Sequence, residues 1–238
     1  MANLNHEKEI IKMEKIDKRH VYGIMIDTET ANGLDDPLAY DIGWQVIDSH
    51  GRKYAERSFV NRDIFIHERE LMQSAYYANK IPMYSEQIRA NERIMASTFD
   101  IRKALAEDVE KYGCVFICAH NAFFDYRSTN NTQRWVTKSK YRYFIPFGLE
   151  WWDTMKMAKS VMFKMPTYKK FCEANGYFTS NGQMRCTAEI LFQFITNDTD
   201  FKEEHTGLED VDIERQILAY CHKQHKAMKK TLFNKKSA

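Results

Sequence analysis

Proline and glycine are scarce in this chain, which contains four prolines and nine glycines in 238 residues. Linkers between domains are commonly rich in these residues or in other small polar ones. We therefore expect one domain, although the length alone would also allow two. The predicted division is a charged N-terminal segment (residues 1–20), a single folded domain (21–225) and a basic C-terminal tail (226–238).

The chain also lacks an apolar run near the roughly 20 residues of a membrane-spanning helix. Its first fifteen residues contain no apolar core of a secretory signal. We therefore expect a cytoplasmic protein without membrane association. The five cysteines fit this expectation, because they are scattered and odd in number. The net charge of +2 is too small to indicate nucleic-acid binding by itself.

Apolar and alternating segments predict a mixed α/β fold. Strands are expected at 21–27, 39–48 and 53–60, with a turn at Gly51 that makes the last two an antiparallel hairpin. Two short strands are expected in the sequences CVFICAH and LEWWDTM. Residues 65–112 and most of the last hundred residues are predicted to be helical, with Ser97 in a capping box and Gly113 as a stop signal.

Two carboxylates stand at the end of the first predicted strand, in the sequence IMIDTETAN. Asp27 and Glu29 are two residues apart, so their side chains project from the same face of a strand. Taken alone, this pair has two interpretations. It is either a solvated strand end without a function or one half of a metal site.

Further acidic residues are expected at the same edge of the sheet. Asp125 follows the strand CVFICAH, and the carboxyl ends of parallel neighbouring strands meet at one rim. Thr206 and Glu209 have the spacing of a capping box, which places Asp210 in the first turn of a long helix. His205 immediately precedes that helix.

These segments resemble the motifs of the DnaQ-like (DEDDh) superfamily of 3′–5′ exonucleases. IMIDTET, AHNAFFD and HTGLED match its three motifs in order, and WWDTMKMAK resembles a further segment of the family. The similarity is to stand-alone members, including ribonuclease T, and to bacterial polymerase proofreading domains. It implies a ribonuclease H-like α/β fold, with a mixed sheet of roughly five strands and helices on both faces.

The resemblance also implies the site. Four acids would hold two divalent metal ions, Mg²⁺ or Mn²⁺: Asp27, Glu29, Asp125 and Asp210. His205 would accept the proton of the attacking water. The expected substrate-binding residues are Thr28, Asn121, Phe123 and Phe124. One phenylalanine would face the terminal base and the other would lie in the core.

The activity implied is hydrolysis of single-stranded nucleic acid from its 3′ end to nucleoside 5′-monophosphates, with DNA favoured over RNA. Two alternatives stay open: an exoribonuclease that trims RNA, and a nucleic-acid-binding module without turnover. The expected partners are single-stranded 3′ ends, together with a polymerase or a replication or repair protein. The sequence leaves the oligomeric state open.

Other features have competing interpretations. The lysine-rich sequence HKQHKAMKKTLFNKK is either a frayed, solvated tail or an arm that follows phosphates. Cys221 and His225 are one helical turn apart, but no second ligand pair for zinc lies nearby. Trp151 and Trp152 are expected to pack in the core.

Overall fold

Six strands form one mixed sheet in the computed structural model, which describes residues 16–233. The strands are β1 (Tyr22–Ala31), β2 (Leu38–Asp48), β3 (Lys53–Asn61), β4 (Ile94–Ala96), β5 (Phe116–Ala119) and β6 (Glu150–Asp153). Their order is β4-β3-β2-β1-β5-β6. Strands β1, β2 and β3 are antiparallel neighbours, whereas β4, β5 and β6 each run parallel to the strand beside them. The predicted hairpin is confirmed.

Helices cover both faces of this sheet, which confirms the expected α/β class with a mixed sheet. They are α1 (Arg62–Phe65), α2 (Arg69–Gln73), α3 (Ile81–Arg89), α4 (Thr98–Tyr112), α5 (Phe123–Thr137), α6 (Thr154–Val161), α7 (Pro166–Asn175), α8 (Ala188–Thr196) and α9 (Gly207–Lys223). Among residues 16–233, no helix combines the length and the apolar character needed to cross a membrane. Residues 1–15 and 234–238 lie outside the described part, so the division into domains stays a prediction.

Alternation of side chains along the central strands gives the sheet two apolar faces. Met25 of β1 and Cys118 of β5 pack with helices α6 to α9. Ile24 and Ile26, on the opposite face of β1, pack with α4 and the start of α5. The central strands β1, β2 and β5 are therefore buried on both sides, as expected for nearly continuous apolar strands.

Residues 65–112 are not helical throughout, contrary to prediction. Short helices are followed there by strand β4, which pairs with the end of β3 and adds a sixth strand to the sheet. The predicted start of α4 is confirmed, since Ser97 Oγ accepts a hydrogen bond from the amide of Asp100 (3.1 Å). Its end at Gly113 is confirmed too, with φ of 64° in the left-handed region.

Strand β1 does not end at the two acids. Its pairing with β5 stops at Met25, but its pairing with β2 continues to Ala31 through an irregularity after Glu29. Asp27 and Glu29 therefore project from a strand that is held on one side only. The other side is open, which creates the space for a cleft.

The described part of the basic tail is not frayed. Residues 229–232 run along the edge of β6, where Leu232 N donates to Trp151 O and Asp153 N donates to Lys230 O, both at 2.8 Å. Lys156 Nζ also donates to the carbonyl of Leu232 (2.8 Å). These bonds cover backbone groups that an edge strand would otherwise expose.

Candidate metal centre

A cleft of about 370 Å³ lies where β1 and β5 separate. Its lining includes eight of the nine site residues that were predicted from the sequence. These are Asp27, Thr28, Glu29, Asn121, Phe124, Asp125, His205 and Asp210. They belong to three distant parts of the chain, carried by β1, the start of α5 and the start of α9. Phe123, the ninth, does not line the cleft.

Glu29, His205 and Asp210 form the tightest group. One ligand atom from each of these side chains lies within 4.8 Å of the other two. Glu29 and Asp210 provide carboxylate oxygens and His205 an imidazole nitrogen. Such a spacing lets a single cation contact more than one of them.

Asp27 and Asp125 lie beside this group. Asp125 is buried, and its Oδ1 accepts a hydrogen bond from Thr28 Oγ1 (2.9 Å). Asp27 Oδ2 and Asp210 Oδ1 are also buried, but neither has a hydrogen-bond partner among the described residues. Buried polar atoms without a partner are rare, because each costs the free energy of its lost hydration.

Burial and mutual repulsion disfavour the charged form of every acid in the cleft. Burial, followed by repulsion from Asp210, raises the pKa of Glu29 to about 9. Burial and repulsion from Glu203 raise the pKa of Asp210 to about 8. Burial raises the pKa of Asp125 to about 7 and places the pKa of Asp27 well above its usual range.

This donor set fits a hard divalent cation. Carboxylate oxygens are the ligands preferred by Mg²⁺ and suit Mn²⁺ as well. The unpartnered oxygens of Asp27 and Asp210 are free to become ligands. A bound cation would also oppose the repulsion that raises the pKa values of these acids.

Close backbone packing positions the start of α9 beside β1 and β2. A Cβ atom added to Gly43 of β2 would lie 2.3 Å from backbone atoms of Gly207 and Leu208. One added to Gly207 would lie 2.8 Å from the Gly43 nitrogen. The two glycines therefore permit the approach that places Asp210 opposite β1.

Asp41 of β2 binds the start of α9 through its side chain. Its Oδ2 accepts hydrogen bonds from the backbone N–H of Gly207 (3.0 Å) and the hydroxyl of Tyr84 (2.7 Å). Arg93 Nη1 lies 3.1 Å from the same oxygen, and Arg93 Nη2 donates to Glu209 (2.8 Å). Because Asp41 and Arg93 are both buried, each needs the other as a partner.

The predicted capping box at Thr206 is only partly formed. Thr206 occupies the N-cap position, but its side chain accepts no hydrogen bond from the helix backbone. Its hydroxyl instead donates to Glu209 Oε2 (2.6 Å), the oxygen that also binds Arg93. Asp41 satisfies the Gly207 amide in place of a local cap.

Two residues outside the sequence motifs, Tyr77 and Lys80, hold His205 in place. Its ring stacks on Tyr77 with a centroid distance of 4.7 Å and an angle of 17°. Lys80 Nζ donates to the carbonyls of Glu204 and His205, and it lies over the Tyr77 ring. Burial, followed by the nearby charge of Lys80, lowers the pKa of His205, which favours the neutral imidazole. His205 itself has φ of 52°, in the left-handed region.

The cleft is also lined by two acids, Glu203 and Glu214, that were not predicted from the sequence. Glu214 is buried, its Oε2 has no partner among the described residues, and burial raises its pKa well above the usual range. It is four residues after Asp210 on α9, so the helical repeat could have identified it. Glu203, whose pKa burial raises to about 7, precedes His205 in a loop and carried no such signal.

Three of the four expected substrate-binding residues line the cleft, and Phe123 does not. Phe124 lines the cleft, whereas Phe123 is 49% exposed outside it, so the expectation that one of the pair lies in the core is wrong. The Thr28 hydroxyl is engaged with Asp125 and Ser128. The Asn121 N–H points towards Asp153 Oδ1 at 3.3 Å. Both residues line the cleft, but these groups already have protein partners.

Two secondary expectations concern packing and zinc. Trp151 and Trp152 are buried, as expected. Cys221 is buried in the apolar core with α9, and within residues 16–233 neither it nor His225 belongs to a group of three metal-ligating side chains. Nothing supports zinc binding there.

Comparisons with known proteins find similarity among solved structures only. No protein-family model matches the chain, and no curated protein sequence matches it. Among solved structures, the chain is similar to Exonuclease X in complex with 5′ overhanging duplex DNA. The two share 18% identity over 84% of this chain and 91% of that chain, with a TM-score of 0.41. A similarity of this size carries no weight for the activity of this chain.

Proposed function

We propose that this protein is a metal-dependent 3′–5′ exonuclease that degrades single-stranded nucleic acid, with DNA favoured, to nucleoside 5′-monophosphates. The observation that carries the proposal is the convergence of Glu29, His205 and Asp210 within 4.8 Å. Asp27 and Asp125 lie beside them in the same cleft. The order of these residues in the three sequence motifs supports the DnaQ-like (DEDDh) assignment.

Four carboxylates are proposed as the ligands of two divalent ions, Mg²⁺ or Mn²⁺: Asp27, Glu29, Asp125 and Asp210. The ions would supply positive charge to the scissile phosphate and lower the pKa of water there. The support for this part is the set of raised pKa values and the unpartnered buried oxygens. Without cations, the same residues would only destabilise the fold.

His205 is proposed as the general base. Its Nδ1 lies 3.9 Å from Glu203 Oε2, so we assign Nε2 as the atom that accepts the proton of water. The water oxygen forms a bond to phosphorus, and the bond from phosphorus to the 3′ oxygen of the preceding nucleotide breaks. That oxygen takes up a proton from solvent water and becomes the new 3′ hydroxyl, and His205 returns its proton to solvent. The lowered pKa of His205 suits this role, because a base must be neutral before it accepts a proton.

Phe124 is proposed to contact the terminal base, because it lines the cleft beside Asp125. Aromatic rings stack on any base, so this contact would position the 3′ end without selecting a sequence. Thr28 would support the site by holding Asp125 through a hydrogen bond. Asn121 would support it through the bond of its backbone N–H to Asp153. The partner of this site would be a free 3′ end.

A digestion panel tests the proposal. Single- and double-stranded DNA and RNA, labelled at the 3′ or 5′ end, are incubated with Mg²⁺, Mn²⁺ or chelator. We expect 5′-labelled single-stranded DNA to shorten stepwise and 3′-labelled DNA to release a mononucleotide at once, only with metal. The Asp27→Asn variant serves as the inactive control.

The panel also separates the alternatives. Faster shortening of RNA than of DNA would favour the exoribonuclease. Binding of oligonucleotides without metal-dependent products from any of them would leave a nucleic-acid-binding module and refute the nuclease proposal.

A further inference from the structure

A second depression, larger than the cleft, lies beside α5. This aromatic groove has a volume of about 680 Å³, and its walls include Tyr126, Tyr143, Phe147, Trp151 and Phe233. Phe147 is fully exposed and Tyr143 is half exposed. Aromatic rings exposed together around a groove are unusual on a protein surface that binds nothing.

Aromatic contacts extend this groove towards the candidate metal centre. Phe123 precedes the cleft residue Phe124 and stacks on Tyr126, with a centroid distance of 6.3 Å and an angle of 22°. Tyr126 lines the groove, where it meets Phe233 edge-on at 5.1 Å. A row of rings therefore leads from Phe123, the sequence neighbour of the cleft residue Phe124, into the groove along the first turn of α5.

Basic residues lie beside the groove. The sequence from Tyr126 to Leu149 contains five basic residues and no acidic residue. The Arg134 guanidinium lies 5.5 Å from the Tyr143 ring, and no carboxylate pairs with it within residues 16–233. Beyond Pro146, the surface continues into a smaller hollow lined by Arg102 and Lys103.

One acid, Glu150, also lines the groove. Its Oε2 accepts a hydrogen bond from Trp152 Nε1 (2.8 Å), so its carboxylate is partly engaged by the protein. The groove thus combines an aromatic floor with a basic rim. An anionic polymer with flat apolar groups fits this combination better than a peptide, which would need polar partners for its backbone.

We propose that the aromatic groove binds the stretch of single-stranded nucleic acid that precedes the 3′ end held in the cleft. The bases stack on Tyr143 and Phe147, and the phosphates lie near Arg134. Phe123 and Tyr126 carry the strand between the two sites. This inference rests on the proposed nuclease function, since it assigns the groove to the same substrate.

The test compares a long ligand with a short one. Binding of an oligothymidylate 12-mer is measured by filter binding with Ca²⁺ in place of Mg²⁺, and hydrolysis of a thymidine dinucleotide is measured with Mg²⁺. Loss of one stacking ring costs about 1–3 kcal/mol, which corresponds to about 5- to 150-fold in affinity. We therefore expect Phe147→Ala to weaken 12-mer binding at least about fivefold and to leave dinucleotide hydrolysis unchanged.

A charge variant and a control complete the design. Arg134→Gln is expected to lower the slope of log affinity against log salt concentration by about 0.7, the value for one phosphate contact on a single strand. Ile94→Ala removes an exposed apolar side chain from β4, at the opposite edge of the sheet, and should bind the 12-mer as the unaltered protein does.

The outcomes separate the two proposals. If the dinucleotide is hydrolysed but Phe147→Ala binds the 12-mer normally, the groove proposal is overturned while the nuclease proposal stands. If no substrate is hydrolysed but 12-mer binding depends on Phe147 and Arg134, the nuclease proposal fails while the groove keeps its ligand.

Discussion

Individual carboxylates in the cleft are protonated more readily than free acids because they are buried together. A carboxyl group whose pKa rises on folding binds its proton more tightly in the folded state. Its contribution to stability is complete at low pH and is lost as the pH rises from its ordinary value to the raised one. For Asp125, Asp210 and Glu29, the raised values run from about 7 to about 9.

The first prediction concerns the stability of the metal-free protein as the pH changes. In chelator, the melting temperature should fall as the pH rises from about 5 to about 9, and Mg²⁺ or Mn²⁺ should restore it at the upper end. Asp210→Asn removes one of the repelling charges and should stabilise the metal-free protein by about 1–3 kcal/mol at pH 8. Calorimetry across the pH range measures both effects. A melting temperature that rises with pH in chelator would contradict the electrostatics described for the cleft.

His205 is predicted to matter for turnover rather than for metal binding. His205→Ala should lower kcat by about 10²–10⁴-fold, the usual contribution of a general base. Mn²⁺ binding, followed by electron paramagnetic resonance, should change little because the four carboxylates remain. Near-normal turnover would remove the proposed role from this histidine.

Tyr77 is predicted to position His205 through the stacking of the two rings. Tyr77→Ala should lower kcat about tenfold with little effect on KM, since a displaced base acts less well on bound substrate. Tyr77→Phe keeps the ring and should retain most of the activity. If both variants lose activity equally, the hydroxyl rather than the stacked ring is what matters.

Strand β2 and the start of α9 meet at the site through a close backbone contact between Gly43 and Gly207. Gly43→Ala would place a methyl group 2.3 Å from the backbone of Gly207, where no flexible side chain can move aside. We predict a loss of both thermal stability and activity, measured by melting and by the digestion assay. Gly33→Ala is the matched control, because nothing lies within 4 Å of its added Cβ. Equal stability of the two variants would contradict the contact.

The limits of sequence reasoning are clearest for the short elements. Long periodic helices and the hairpin strands were predictable, because each contains its own pattern and end signals. Strand β4 was not, since three residues are too few for a pattern and its partner Phe59 is 35 positions earlier. The continuation of β1 beyond Asp27 likewise depends on the neighbouring strand β2, not on local sequence.

Across the whole molecule, the site residues that belong to sequence motifs were predictable. The residues that contact those motifs from distant parts of the chain were not. Asp27, Asp125 and Asp210 follow from the motifs. Lys80 and Tyr77 lie in a segment without a motif, and only the folded chain brings them to His205. The aromatic groove was missed for the same reason, as its walls come from α5, from the segment before β6 and from Phe233.

The contact between Gly43 and Gly207 joins positions near the two ends of the described chain. During synthesis on the ribosome, β1 and its two acids emerge long before His205 and Asp210, because α9 follows β1 at a large distance in the sequence. A chain released prematurely, before α9, would therefore lack both the proposed base and the last ligand. Translation of α9 would complete the proposed site, so fragments left by interrupted synthesis would lack the proposed nuclease activity.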